Sequence, residues 1–287
     1  MFYSKDISAR AGLTVLLIIA VLAVIFLARN NFLTRPAAYN LFHYLTGQET
    51  KFMTADLEEL DTANYVIKYQ PVDQDYAKMV GEVAEEAYSE VTGVFGQKPA
   101  RKTTIIIYPD SASLARSFGW DRNEKALGVY WGGTIRILSP GAWLKGDDMQ
   151  ENFAQQGPMV HELTHLLVDD ITRGNYNRWW TEGIAQYVEK KTTGFEFSEP
   201  FTNSADMQYY HFSALARNFD KLDQPVAYWQ SLKAVEFIAQ RYGEQSLFDI
   251  LYSLGQQNTM DEAIYDILGI DMNTFEQEFG QYIQQNY

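Results

Sequence analysis

The chain has 287 residues, enough for one long domain or two, and contains no cysteine. Its 23 basic and 37 acidic side chains give a net charge of −14, which excludes the positive footprint that nucleic-acid binding needs. Lack of cysteine excludes disulfides, thiolate catalysis, Cys-ligated zinc and iron–sulfur clusters, so any metal site must use carboxylates and the four histidines, His43, His161, His165 and His211.

Ala11 to Ala28 is a run of eighteen residues without a charge. As a helix it would extend about 27 Å, close to the thickness of a bilayer's hydrocarbon core. The run exceeds a typical signal-peptide apolar region, and no clean A-x-A site follows at Arg29, so a retained signal-anchor is expected. Lys5 and Arg10 precede the span while Arg29 and Arg35 follow it. The α-amino group tips this balance toward residues 1–10 as a cytoplasmic tail, with the acidic bulk of a single-pass protein outside the cell membrane. Residues 29–63 have no steady period and read as a stalk, with at most a short helix over Tyr39–Leu45. His43 falls there and reads as incidental.

From Asn64 the pattern becomes α+β. Tyr65–Tyr69 alternates like a strand, and Thr103–Tyr108 is a β-branched run that predicts a buried one. Between them, Met79, Val83, Ala87, Val91 and Val94 recur at helical intervals over Asp75–Phe95. Asp110 is placed to cap a short helix through Phe118. Two apolar runs, Leu127–Trp131 and Thr134–Leu138, flank Gly132-Gly133 and predict a tight hairpin.

After Pro140 the pattern is helical to the end. Leu232, Val235, Ile238 and Ala239 share a face of Trp229–Tyr242, and Leu247–Leu254 and Met260–Leu268 repeat the spacing. Thr259 and Glu262 match a capping box, and Gly243, Gly255 and Gly269 stand where helices should stop. Residues 64–287 thus form one expected domain, with a sheet part at 64–140 and a helical part at 141–287.

The helical part holds the chemistry. His161-Glu162-Leu163-Thr164-His165 is an H-E-x-x-H motif with apolar flanks that favour a helix. Positions four apart share a helix face, so both imidazoles can reach one metal ion, with Glu162 beside it to take a proton from water. A catalytic zinc needs a third protein ligand and an open position. Glu182 lies 17 residues beyond His165, in RWWTEGIAQYVE at 178–189. The first helix can end near Arg173-Gly174 and a second can run back, with Glu182 in its first turn facing the histidines. Gly183 and Ala185 would let those two helices approach closely.

H-E-x-x-H followed by W-x-x-E-G-x-A-x-Y, here Trp179 to Tyr187, resembles the gluzincin metallopeptidases, and most of all the peptidase-MA-like domains of membrane-anchored or secreted bacterial proteins. The run at 227–251 is also similar to that group's C-terminal helices. The resemblance implies a thermolysin-like catalytic half, one zinc ion per chain held by His161, His165 and Glu182, and Glu162 as general base for peptide-bond hydrolysis. It favours Tyr228 as the donor that stabilises the oxyanion, ahead of His211 and Arg217. It also implies that the sheet edge before the motif helix pairs with substrate backbone. Gln186 stands where the family often carries an Asp that orients a ligand histidine. Its amide oxygen can still accept from His161.

Three readings compete with the peptidase. A catalytically inactive binding or structural module on the same anchor would be expected to have lost Glu162 or a ligand, and all four residues are present. An intramembrane peptidase needs the motif inside a span, and the one span is far from His161. A metzincin needs a third His six residues after His165, where Ile171 stands. The expected partners are a peptide or protein substrate and the membrane. Endopeptidase and aminopeptidase action both remain open; the latter needs acids for the substrate's α-amine, such as Glu189 or Asp206. Trp131, Trp179 and Trp180 could line pockets or pack in the core.

Overall fold

The computed structural model describes residues 19–20, 22–23, 34–121, 126–201 and 208–287. The chain divides into two compact units, one of residues 1–81 with 101–143, the other of residues 82–100 with 144–287. Most of the expected membrane span, residues 11–28, lies outside the described residues. Ile19, Ala20, Leu22 and Ala23 are helical, and no helix among the described residues is long and apolar enough to cross a membrane.

The first unit is built on a mixed five-stranded sheet. In chain order its strands are β1 (Glu58–Asp61), β2 (Tyr65–Tyr69), β3 (Thr103–Tyr108), β4 (Gly128–Trp131) and β5 (Thr134–Leu138). They lie in the order β1-β2-β3-β5-β4, with both outer pairs antiparallel and the inner pairs parallel. Ile67, Ile105, Ile107, Ile135 and Ile137 are buried in it, as β-branched runs predict for inner strands. Gly132 and Gly133 have φ of 52° and 89°, the left-handed pair that a two-residue hairpin requires. The hairpin leaves β4 as an edge strand.

The segment expected as a stalk is structured. Arg35–Met53 is a 19-residue helix, α1, and Glu58–Asp61 completes the sheet. The buried face of α1 is Ala38, His43, Thr46 and Thr50, so it lacks the apolar period by which helices are read from sequence. Thr46 Oγ1 donates to the carbonyl of Gly132 at 2.9 Å, and a Cβ on Gly132 would stand 2.7 Å from that hydroxyl. His43 is buried and packs its ring 4.1 Å from that of Tyr39.

Helix α2 (Gln74–Phe95) crosses the division between the units. Its buried stripe is Ala77, Val80, Val83, Ala84, Ala87 and Val91, while Met79 and Val94 are half-buried. Helix α3 (Ser111–Ser117) is capped by Asp110, whose Oδ1 accepts from Ser113 N at 2.7 Å.

The described part of the second unit contains helices and no strand. They are α4 (Met149–Gln156), α5 (Met159–Thr172), α6 (Arg178–Thr193), α7 (Phe212–Asn218), α8 (Gln224–Tyr242), α9 (Gln245–Gly255), α10 (Met260–Leu268) and α11 (Met272–Asn286). Leu163, Leu167, Trp179, Trp180, Ile184, Val235 and Ile238 are fully buried among them. Each such side chain contributes about 1.5–3 kcal/mol of burial energy before entropy is counted. Helix α5 ends at Arg173 in the left-handed conformation (φ 55°), and the capping box at Thr259 and Glu262 starts α10. Trp179 and Trp180 belong to this core.

Candidate metal centre

The centre is assembled by α5 and α6. His161 and His165, one turn apart on α5, bring their ring centroids to 4.8 Å in an edge-to-face pair. Glu182 is the fifth residue of α6, just past the first turn. Its Oε2 lies 3.4 Å from Nε2 of His161 and 3.4 Å from Nε2 of His165. The three side chains offer ligand atoms within 4.8 Å of one another, a grouping able to hold a metal ion.

Glu182 is nearly fully buried, and its two oxygens are used differently. Oε1 accepts from the Tyr228 hydroxyl at 3.1 Å and from Arg178 Nε at 3.3 Å. Oε2 is buried and accepts no hydrogen bond. A buried carboxylate oxygen without a donor is costly unless a cation completes it. Two bonds of about 2.0–2.1 Å in tetrahedral arrangement end about 3.3 Å apart, close to the observed 3.4 Å separations. Two imidazole nitrogens with one carboxylate are also a zinc donor set. The residues present fit the ion.

Each histidine is held from behind. Nδ1 of His161 lies 3.1 Å from Glu189 Oε2, and Nδ1 of His165 lies 2.7 Å from Thr181 Oγ1. With Nδ1–H donating to those partners, each ring keeps its Nε2 lone pair toward the centre. Burial alone would lower the pKa of His161, but the adjacent carboxylates of Glu182 and Glu189, with the charge of Glu162, hold it well above the usual range. Burial would raise that of Glu182, but the two histidines hold it well below the carboxylate range. The raised histidine and the depressed carboxylate are two sides of the attraction between them, and the negative field of the carboxylates around the rings favours a cation in the pocket. Glu162 is buried beside His161 and its charge contributes to that field.

Tyr228, the fifth residue of α8, is at the site, with its hydroxyl on Glu182. Burial, and then the Glu182 charge, push its pKa far up, so it remains a donor at any physiological pH. Arg178 closes the group: it approaches the Tyr228 hydroxyl at 3.5 Å and pairs with Asp220. His211 is exposed and pairs with Glu276, and Arg217 is exposed. Neither is among the groups around Glu182. Asp206 lies outside the described residues.

Two expectations are corrected. Gln186 does not accept from His161: its Nε2 donates to the carbonyls of Glu182 and Tyr228, at 3.1 and 3.0 Å. The histidine is oriented instead by Glu189, seven residues after Glu182. Two turns of helix return to the same face, which is the signal that could have identified it. Gly183 also serves a different neighbour. A Cβ there would stand 2.4 Å from Ser231 O and 2.7 Å from Val235 Cγ2, so this glycine lets α8, not α5, approach α6. Thr181 and Arg178 carried no such signal in the sequence.

A helical unit with two histidines one turn apart and a glutamate from the next helix defines a metallopeptidase-like domain. The chain belongs to the peptidase MA superfamily, whose sequence model matches residues 83–285. No curated protein matches the chain.

Proposed function

We propose that the protein is a zinc-dependent peptidase that hydrolyses peptide bonds at the centre formed by His161, His165 and Glu182. The observation that carries this reading is Glu182 Oε2, buried without a hydrogen-bond donor and 3.4 Å from two imidazole nitrogens. When bound there, zinc supplies Lewis-acid polarisation of the scissile carbonyl and acidifies the attacking water.

The chain's own groups do the rest. The Glu162 carboxylate takes a proton from the attacking water and delivers it to the departing amine nitrogen, a role commonly contributing about 10²–10⁴-fold in rate. Glu189 and Thr181 hold the two rings at Nδ1. Tyr228 and Arg178 engage Glu182 through Oε1 and leave Oε2 free. We assign Tyr228 this positioning role first; it could meet a developing oxyanion only by releasing Glu182. The eighteen uncharged residues at 11–28 support an N-terminal membrane anchor, with the peptidase domain outside the cell and a peptide or protein as substrate.

Hydrolysis of a fluorogenic peptide library by the full zinc-loaded chain tests this, with Glu162→Gln as control. Cleavage by the wild type that falls at least about 100-fold in the variant is the expected result. Absence of cleavage by a folded, zinc-loaded protein, or equal cleavage by the variant, contradicts the reading.

A further inference from the structure

The first unit carries an exposed aromatic patch around Trp131, at the end of the edge strand β4, to which the metal centre contributes no residue. Phe118 stacks on Trp120 with ring centroids 4.7 Å apart, and meets Trp131 edge-on at 6.4 Å. Trp131 in turn meets Phe42 of α1 at 5.5 Å. Arg136 Nη1 donates to Ser117 O and its guanidinium covers the Phe118 ring at 4.7 Å, fixing that ring from beneath. The outer rings are left in solvent: Trp120 is 44% and Trp131 40% exposed. Leu41 and Tyr44 of α1 are exposed too. Two half-exposed tryptophans joined through packed rings form a continuous apolar surface, and such surfaces mark interaction sites.

Chain length determines what lies near it. Six residues, 29–34, separate Ala28 at the end of the uncharged run from Arg35 at the start of α1. The seven steps from Ala28 to Arg35 span at most about 25 Å. From Arg35 to Phe42 the helix rises about 10 Å. Phe42, on one edge of the patch, is therefore within about 35 Å of the point where the apolar run ends. Tryptophan and tyrosine are the side chains that settle at a membrane–water interface, where the ring is buried and its polar edge stays wet. A protein of net charge −14 gains little from attraction to an anionic surface, so contact of this kind rests on ring insertion.

We propose that Phe42, Phe118, Trp120 and Trp131 form a membrane-contact patch, resting in the headgroup region of the bilayer that holds residues 11–28. This rests on the anchored reading above. It adds that the sheet unit lies against the lipid surface instead of standing away from it. The patch is distinct from the metal centre, which is built entirely from the second unit.

The test uses the full chain reconstituted in phosphatidylcholine vesicles with bromine high on the acyl chains. The remaining tryptophans, Trp143, Trp179, Trp180 and Trp229, are less exposed, so quenching by brominated lipid reads Trp120 and Trp131. The expected result is quenching of the wild type that falls by half or more in a Trp120→Gln, Trp131→Gln double variant and persists in 1 M salt. Quenching that is absent, or equal in the double variant, overturns the patch; so does a cross-linked dimer through Trp131 without quenching, which assigns the surface to a second copy. Retention in the vesicles after an alkaline wash reads the anchor separately. A chain that is washed out overturns the anchor, whereas a chain that is retained but not quenched overturns the patch alone.

Discussion

The Tyr228 hydroxyl donates to Glu182 at 3.1 Å through Oε1, the oxygen that does not face the histidines. The bond divides the carboxylate, one oxygen held by α8 and Arg178, the other turned between two imidazoles. A side chain expected to meet the substrate is thus engaged with a metal ligand. Tyr228→Phe separates the two roles. We expect zinc affinity to fall about 10–100-fold, the usual cost of losing a partner of a ligand, with a stability loss of about 0.5–1.5 kcal/mol. Competition with a chelating indicator, beside kcat at saturating zinc, measures this. A large loss of kcat with unchanged affinity would return Tyr228 to the oxyanion.

Glu189 and Gln186 give a paired test. Glu189→Gln weakens the acceptor on His161 Nδ1, and we expect zinc affinity to drop about 10–100-fold. Gln186→Met removes a side chain that binds only backbone carbonyls, so stability should fall while zinc affinity stays within about twofold. The reverse ranking in zinc titrations would restore Gln186 as the orienting group.

Gly183 sets the distance between α6 and α8. A methyl group there meets Ser231 O at 2.4 Å, and backbone cannot move aside as a side-chain end can. Gly183→Ala should cost about 1–3 kcal/mol, a fall in melting temperature of several degrees. An unchanged melting curve for the zinc-free protein would show that the helices have more room than this packing implies.

Acid sensitivity should appear at the N-terminal caps of α10 and α11. Hydrogen bonds from Thr259 hold the Glu262 carboxyl below its usual pKa, and those from Thr274 do the same for Asp271. A depressed folded-state pKa adds stability above the unfolded value, about 4 for a carboxylate, and that stability is lost as pH falls through the folded value. Glu262→Gln should therefore melt below wild type at pH 7, with the difference shrinking as pH falls below about 4. A difference that grows on acidification would contradict the cap assignment.

Much of the helical structure is legible in the sequence because apolar spacing and caps agree, as at Asp110 in the first unit and at Thr259 and Gly269 in the second. Helix α1 lacks that signature: its buried face is Ala38, His43, Thr46 and Thr50, and buried polar residues leave no apolar period. At the site, the motif and Glu182 announced themselves by spacing. Glu189 did not, since a charged residue two turns along a helix reads as surface until the rotation of α6 is known. That rotation also turned Gln186 toward Tyr228 O and Gly183 toward α8.

Metal content of the full chain tests the central claim most directly. Wild type, zinc-loaded and desalted, is compared with Glu182→Gln by elemental analysis, with circular dichroism confirming that both are folded. We predict about one zinc per wild-type chain, largely lost in the variant. A folded wild type that retains no zinc, or a variant that retains as much, would contradict the account.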